Sequence, residues 1–248
     1  MCLIALAHRA SERYPLVIAA NRDEDHERAT RPAHLWDDAP DVIGGRDVLH
    51  GGSWLAVSRN GRFAAVTNLR GAVQRGRSRG LLVGSFVTSE EAPAAYAATV
   101  AREAADYAGF HLLVGQAGGT VVYVANGDGP VVPLILDRGI YGFSNAPAGE
   151  RWPKVDLAIA QMKTSLSAPE DLAAELLRFL GTRTGSGRIE EEVFIVGDRY
   201  GTRASTVVIV TMDEIVFAEQ NYARGGVAIG EPSIFRLLSA GAERDRQE

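Results

Sequence analysis

Cysteine is almost absent from this chain of 248 residues, which contains only Cys2. One cysteine cannot form an intrachain disulfide, so a disulfide-stapled secreted scaffold is excluded and a reducing compartment fits. No apolar run approaches the roughly 18 residues that a membrane-spanning helix needs. The N-terminal segment also lacks the basic start and the cleavage site of a signal peptide. We therefore expect a cytoplasmic protein without a membrane span.

Motifs of nucleotide, serine-hydrolase and metal sites are missing as well. The sequence contains no P-loop, no GxGxxG and no GxSxG. Its five histidines fall in no familiar metal-ligand spacing, and the acidic segment 23–27 matches no calcium-loop pattern. We therefore expect no metal centre and no required cofactor.

Basic residues are too scattered for a nucleic-acid surface. The chain has 26 Lys and Arg against 31 Asp and Glu, a formal net charge of -5, whereas nucleic-acid binding needs a clustered basic face. The densest basic group consists of Arg70, Arg75, Arg77 and Arg79. This group is interpreted as a solvated loop, with a site for an anionic substrate as the alternative.

The order of predicted elements indicates an α+β protein. Short apolar runs and turn signals predict strands at 2–7, 16–20, 54–58, 62–67, 110–114, 120–125, 131–136, 140–143, 205–210 and 214–218. Helices are predicted at 80–88, at 92–106 with Ser89 as its cap, at 152–165 and at 168–180. Paired helices between blocks of hairpins favour a four-layer αββα sandwich, with helices outside two sheets. We expect one domain over residues 1–248, with a frayed tail at 242–248.

Cys2 has two interpretations. By itself, a free cysteine in an apolar strand is usually a small buried hydrophobe. A small second residue, however, generally permits removal of the initiator Met1, which would give Cys2 a free α-amine beside its thiol. A thiol needs a base to become a good nucleophile, and an α-amine that titrates near 7.7–8.0 can accept its proton. Cys2 could then act without a separate histidine.

Several motifs along the chain resemble those of one family. They are Met1-Cys2-Leu3-Ile4, Ala20-Asn21-Arg22-Asp23-Glu24, Gly44-Gly45-Arg46-Asp47, Gly51-Gly52-Ser53-Trp54-Leu55, Thr67-Asn68-Leu69-Arg70, Ser78-Arg79-Gly80, Ser144-Asn145, Trp152-Pro153-Lys154-Val155 and Tyr200-Gly201-Thr202-Arg203. The set is similar to the NRDE family, whose eukaryotic members are called transport and Golgi organisation protein 2. This family in turn resembles the N-terminal-nucleophile hydrolases of the bile-salt hydrolase and penicillin V acylase type.

The resemblance implies a cysteine amidohydrolase acting on non-peptide C–N (amide) bonds. Its implied catalytic residues are Cys2, Arg22, Asp23, Asn68, Asn145 and Arg203. In this scheme Arg22 and Asp23 follow the strand that ends at Ala20 and assist the thiol, and the two Asn side chains contact the oxyanion and the substrate. Further substrate contacts are expected from Asn21, Glu24, Arg46, Trp54 and Arg70.

Two other functions stay open at this point. Eukaryotic relatives are linked to haem mobilisation and to lipid or acyl-CoA metabolism, so the resemblance also admits a non-enzymatic carrier of haem or an acylated ligand. A haem ligand would then come from Cys2, His8 or His50. The third interpretation is a hydrolase fold that has become an interaction module. As partners we expect a small-molecule ligand or substrate, with an anionic one allowed, no nucleic acid, and a homodimer through exposed helices.

Overall fold

The computed structural model describes residues 2–71, 76–127, 129–147, 149–167 and 170–239. Its strands are β1 (Cys2–His8), β2 (Leu16–Asp25), β3 (Thr30–Trp36), β4 (Ala39–Asp47), β5 (Leu55–Ser58), β6 (Arg62–Asn68), β7 (Phe110–Gln116), β8 (Val121–Ala125), β9 (Leu134–Ile135), β10 (Gly139–Phe143), β11 (Tyr200–Val210), β12 (Glu214–Ala223) and β13 (Val227–Leu238). Its α-helices are α1 (Gly80–Val87), α2 (Pro93–Arg102), α3 (Pro153–Ser165) and α4 (Leu172–Leu180). The described residues form two compact units, one within 1–28, 138–144 and 151–238, the other within 29–137, 145–150 and 239–248.

The first unit has a six-stranded sheet in the order β10-β1-β2-β11-β12-β13. All its pairings are antiparallel. Alternate residues of β1 (Leu3, Ala5 and Ala7) share one face with Val17 and Val207, and α3 and α4 cover that face. Side chains that alternate along a strand point to one side of the sheet, so this face forms the core of the unit.

Helix α4 packs one apolar face into the core of the first unit. Leu172, Leu176 and Leu180 recur every four residues and are buried in the same core, which is the spacing of one helix face. The Asp171 carboxylate accepts a hydrogen bond from the Ala174 N–H at 3.0 Å and caps the start of the helix. Gly181 ends it, as the sequence predicts.

Helix α3 sits close to the sheet of the first unit. A Cβ atom at Gly142 of β10 would lie 2.5 Å from Cγ1 of Val155, so the glycine permits a close approach of helix and strand. Pro153 begins the helix at a position where its missing N–H costs no hydrogen bond. This contact fixes the first turn of α3, and therefore residue 154, against the sheet.

The second unit has a seven-stranded antiparallel sheet in the order β3-β4-β5-β6-β7-β8-β9. The hairpin between β5 and β6 turns at Asn60-Gly61, with Gly61 at a φ of +81°. Helices α1 and α2 cover one face, and Phe86 and Tyr96 pack with Val66 and Leu112 in the core. The Asn-Gly hairpin is confirmed where the sequence predicts it.

Several predicted boundaries were wrong. Strand β2 does not end at Ala20 but continues to Asp25, because the polar residues after Ala20 pair with β1 and β11. Ser89 does not cap the next helix: α2 begins after Ala92, and the Ser89 hydroxyl donates to the Phe86 carbonyl at 3.0 Å instead. Strand β9 is only two residues long, and the predicted helix at 92–106 ends at Arg102 before a short 3-10 turn at Ala104–Asp106.

Three strands had no prediction at all, namely β3, β4 and β13. The predicted tail at 242–248, Ala168 and Arg75 lie outside the described residues. Within the described ranges, no helix has both the length and the apolar content to cross a membrane. The single domain over 1–248 stays a prediction.

Candidate active site

Cys2, Arg22 and Asp23 meet at one end of the first unit's sheet. Cys2 is the first residue of β1 and lies directly opposite Arg22 of β2 in the antiparallel register. Asp23 is the next residue of β2 and lies opposite Thr202 of β11. The pairing of three neighbouring strands therefore brings together the thiol, a guanidinium and a carboxylate that the sequence predicts as one group.

The surroundings of the Cys2 thiol act on it in opposite directions. Burial raises the pKa of the thiol, and the Asp23 carboxylate raises it further. A hydrogen bond from the Asp23 backbone N–H and the positive charge of Arg22 lower the pKa. Because burial is the largest cause, the thiol stays protonated unless a base takes its proton.

Asp23 is held rigidly inside the unit. Its side chain is 3% exposed, and its Oδ1 accepts a hydrogen bond from the Thr202 hydroxyl at 2.7 Å. Thr202 in turn accepts one from the Ile195 N–H at 2.9 Å. Burial raises the pKa of Asp23, while the charges of Lys154 and Arg22 and the Thr202 hydroxyl oppose that rise. The carboxylate is thus fixed beside Cys2 by partners from β11.

Lys154 is a site residue that our sequence predictions missed. It lies in the first turn of α3 with 0% of its surface exposed, and its Nζ has no hydrogen-bond partner among the described residues. Burial lowers the pKa of Lys154, and the charges of Asp23, Cys2, Glu190 and Glu192 oppose that effect. Thr202 was missed as well. Both residues stand inside the motifs quoted above, but no local pattern shows that they are buried beside Asp23.

Charged side chains surround this group. Arg22 is buried, with its Nη2 3.6 Å from the Glu24 carboxylate, and Glu24 also lies 3.7 Å from Arg28. Arg203 stands at an irregularity of β11 where the register with β2 shifts, and it donates to the carbonyl of Asp25 at 3.2 Å. Bulges change the direction of side chains at the ends of sheets. The positive charge of Arg203 lowers the pKa of Arg22, so the two guanidinium groups lie near each other.

Asn21 makes hydrogen bonds that hold neighbouring parts of the fold together. It is fully buried, its Nδ2 donates to the carbonyls of Leu180 and Val193, each at 2.8 Å, and its Oδ1 accepts from Ser205 at 2.6 Å. These bonds use both hydrogens of the amide and join β2 to the end of α4. Substrate binding by Asn21 stays a prediction, and no amide hydrogen is left for it.

The remaining predicted residues belong to the second unit. Asn145 is 1% exposed and its Nδ2 donates to the Asn68 carbonyl at 2.6 Å, while its own carbonyl accepts from the Arg70 N–H at 2.8 Å. Arg46 donates to the Gly51 carbonyl and stacks 3.7 Å over Trp36. The Trp54 ring lies against Gly45. The oxyanion and substrate roles of these residues stay predictions.

The candidate haem ligands are far from alike. His8 is 2% exposed in β1, and burial lowers its pKa. His50 is about half exposed, with its Nδ1 3.4 Å from the Asp47 carboxylate. No group of three or more His, Cys, Asp and Glu residues in the described ranges is placed to hold a metal ion. Haem binding stays a prediction.

Solved structures define the class of fold. The chain matches a mutant conjugated bile acid hydrolase from Clostridium perfringens with a TM-score of 0.57 and 8% identity, over 95% of this chain and 92% of that one. It matches penicillin V acylase from Agrobacterium tumefaciens with a TM-score of 0.58 and 12% identity, over 96% and 86%. The α+β fold of the N-terminal-nucleophile hydrolase type, predicted from the sequence, is confirmed.

Sequence comparison then gives the family. The model of the protein family described as "Transport and Golgi organisation 2" matches residues 1–224. Relatives include the transport and Golgi organization protein 2 homologs of Bos taurus, 32% identical over 240 residues, and of Homo sapiens, 30% identical over 239 residues. Each alignment covers 84% of this chain and 87% of the relative. The chain belongs to the Transport and Golgi organisation 2 family, as the motifs indicate.

Proposed function

We propose that this chain is an amidohydrolase that cleaves non-peptide C–N (amide) bonds with the thiol of Cys2. The observation that carries the proposal is the register of β1 and β2, which sets Cys2 opposite Arg22 and gives its thiol a hydrogen bond from the Asp23 backbone. Support comes from the fold, because the two solved structures above are named as a hydrolase and an acylase.

The reaction follows from the groups of Cys2 itself. After removal of Met1, which lies outside the described residues, the thiol attacks the amide carbonyl and its proton passes to the α-amine of Cys2. The amine gives this proton to the leaving nitrogen as the C–N bond breaks, and a thioester remains. Water then attacks the thioester, the acid leaves, and a proton returns to the sulfur. The products are one carboxylic acid and one amine.

Each neighbour of Cys2 has a part in this reaction. The buried Asp23 carboxylate holds the α-amine in place and favours its protonated form after the attack. Arg22 favours the thiolate over the thiol. Arg22 and Arg203 each supply a positive charge that an anionic group of a substrate can pair with.

The first experiment compares wild type, Cys2→Ala and Cys2→Ser on a panel of N-acyl p-nitroanilides that vary in the acyl group. Wild-type protein that is shown by intact mass to begin at Cys2 should release nitroaniline. The Cys2→Ala variant should do so at a rate lower by about 10³-fold or more. Lys163→Met, on the exposed side of α3, is the matched control and should keep the wild-type rate. Equal rates for wild type and Cys2→Ala would remove the proposal.

The same samples decide between the enzyme and its alternatives. A mature protein that still begins with Met1 has no free amine on Cys2 and cannot use this mechanism, which would favour the interaction module. Titration of haem into wild type and Cys2→Ala, followed by the Soret band, tests the carrier. A shift at micromolar protein together with no amide cleavage would favour the carrier over the enzyme.

A further inference from the structure

Lys154 is an unusual cation in this chain. Of the 26 basic residues, only Lys154 and Lys163 are lysines and all others are arginine. Lys163 is exposed on α3, whereas Lys154 is fully buried in the first turn of the same helix. An arginine keeps its charge at any ordinary pH, while a buried lysine can lose its proton. Because Lys154 is buried, the groups around it decide whether it keeps its positive charge.

A buried ammonium without a hydrogen bond is expensive to keep. Transfer of a charged group from water into a protein interior costs several kcal/mol unless opposite charge compensates it. The backbone holds Lys154 in place, because its N–H donates to the Glu190 carbonyl at 3.1 Å and Val155 packs against β10. The Trp152 ring, with its centroid 5.5 Å from Nζ, adds only a weak attraction.

The negative charges that act on Lys154 come from the reaction centre and from two glutamates of the segment before β11. Asp23 is the strongest of the charges that act on it, followed by Cys2, Glu190 and Glu192. Asp23 is 3% exposed, and the positive charge of Lys154 lowers the pKa of Asp23 in turn. Each of these two groups would be a costly isolated charge, and each compensates the other across the low dielectric of the interior.

We propose that Lys154 is a positioning residue of the Cys2 site, where its ammonium balances the Asp23 carboxylate so that Asp23 stays ionised and holds the α-amine of Cys2. The catalytic part of this inference rests on the proposed function. The pairing of Lys154 with Asp23 does not, and it can be measured without any substrate.

The experiment follows thermal unfolding from pH 5 to pH 9 for wild type, Lys154→Met, Asp23→Asn and the double variant. In Lys154→Met, Asp23 loses one of the positive charges that oppose the effect of burial, so its pKa in the folded state rises further above that in the unfolded state. The folded protein then binds more protons and loses stability as pH rises. In Asp23→Asn, Lys154 loses the strongest of the negative charges that act on it, so its folded-state pKa falls further and stability rises with pH. The two single variants should therefore show opposite slopes of Tm against pH, relative to wild type.

The double variant removes both charges and should lose both slopes. Near pH 7 its Tm should exceed, by about 5 °C, the value obtained by adding the two single losses. Lys163→Met should follow wild type at every pH. Slopes of the same sign, or additive losses in the double variant, would overturn the pairing. If Lys154→Met does not fold, the slope of Asp23→Asn and the folding of the double variant decide alone.

Kinetics then test the catalytic part on any N-acyl p-nitroanilide that wild type cleaves. Loss of Lys154 raises the pKa of Asp23, so the acidic limb of the kcat/KM profile should move up by about one pH unit in Lys154→Met. A purely structural lysine would lower the rate without moving this limb. If no amide is cleaved by wild type, the proposed function fails, while opposite unfolding slopes would still establish the pairing.

Discussion

Two opposing effects decide the reactivity of the Cys2 thiol. Burial and the Asp23 carboxylate raise its pKa, while Arg22 and the Asp23 backbone N–H lower it. A thiolate is the form that attacks. At the scale of single residues, Arg22 is the side chain whose positive charge favours the thiolate.

Replacement of Arg22 by Ala removes a positive charge opposite Cys2. The pKa of the thiol should rise by about one unit, so that alkylation by iodoacetamide at neutral pH slows about tenfold. The assay is unambiguous because Cys2 is the only cysteine. Arg199→Ala is the control, since that side chain is 86% exposed and pairs with Asp25. An unchanged rate in Arg22→Ala would contradict this account of the site.

At the scale of elements, the sequence predicts apolar strands well and polar ones poorly. The runs that became β1, β5, β6, β7 and β8 were found because each is a short, almost continuously buried apolar run next to turn residues. Strand β2 was cut short at Ala20 because Asn21, Arg22 and Asp23 look like a loop, although all three are buried. Polar residues that belong to a site break the pattern of the element that carries them.

Strands β3 and β13, which lie at sheet edges, were missed for a related reason. Most of β13 is exposed, so it lacks an alternating apolar face, and β3 carries exposed Arg31 and Pro32. Edge strands are commonly charged, short or interrupted by proline. Only their backbone pairing, which depends on a neighbouring strand, defines them.

Two glycines of the second unit test how tightly its elements pack. A Cβ atom at Gly45 of β4 would enter the Trp54 ring, whereas one at Gly84 of α1 would meet nothing within 4 Å. Gly45→Ala should therefore destabilise the protein by about 2–3 kcal/mol through overpacking. Gly84→Ala should stabilise it by about 0.5–1 kcal/mol, because alanine favours the helix.

Denaturant unfolding of both glycine variants beside wild type measures this contrast. Each variant adds one methyl group, so each serves as the control of the other. A Gly45→Ala protein as stable as wild type would show that Trp54 does not pack on β4 as described.

At the scale of the whole molecule, the motifs and the order of elements were enough to predict the fold type and the family, both of which the comparisons confirm. The thiol, Arg22 and Asp23 could be predicted as a group from the resemblance. Lys154 and Thr202 could not, because their burial beside Asp23 arises from the docking of α3 and β11 and leaves no local signal. The predicted homodimer stays a prediction.

The most direct measurement is the intact mass of the protein during turnover of an N-acyl amide. The proposed mechanism predicts a chain that begins at Cys2 and carries one acyl group as a thioester on that residue. The adduct should disappear with hydroxylamine and be absent from Cys2→Ala. A chain that retains Met1, or amide cleavage in Cys2→Ala at the wild-type rate, would contradict the account.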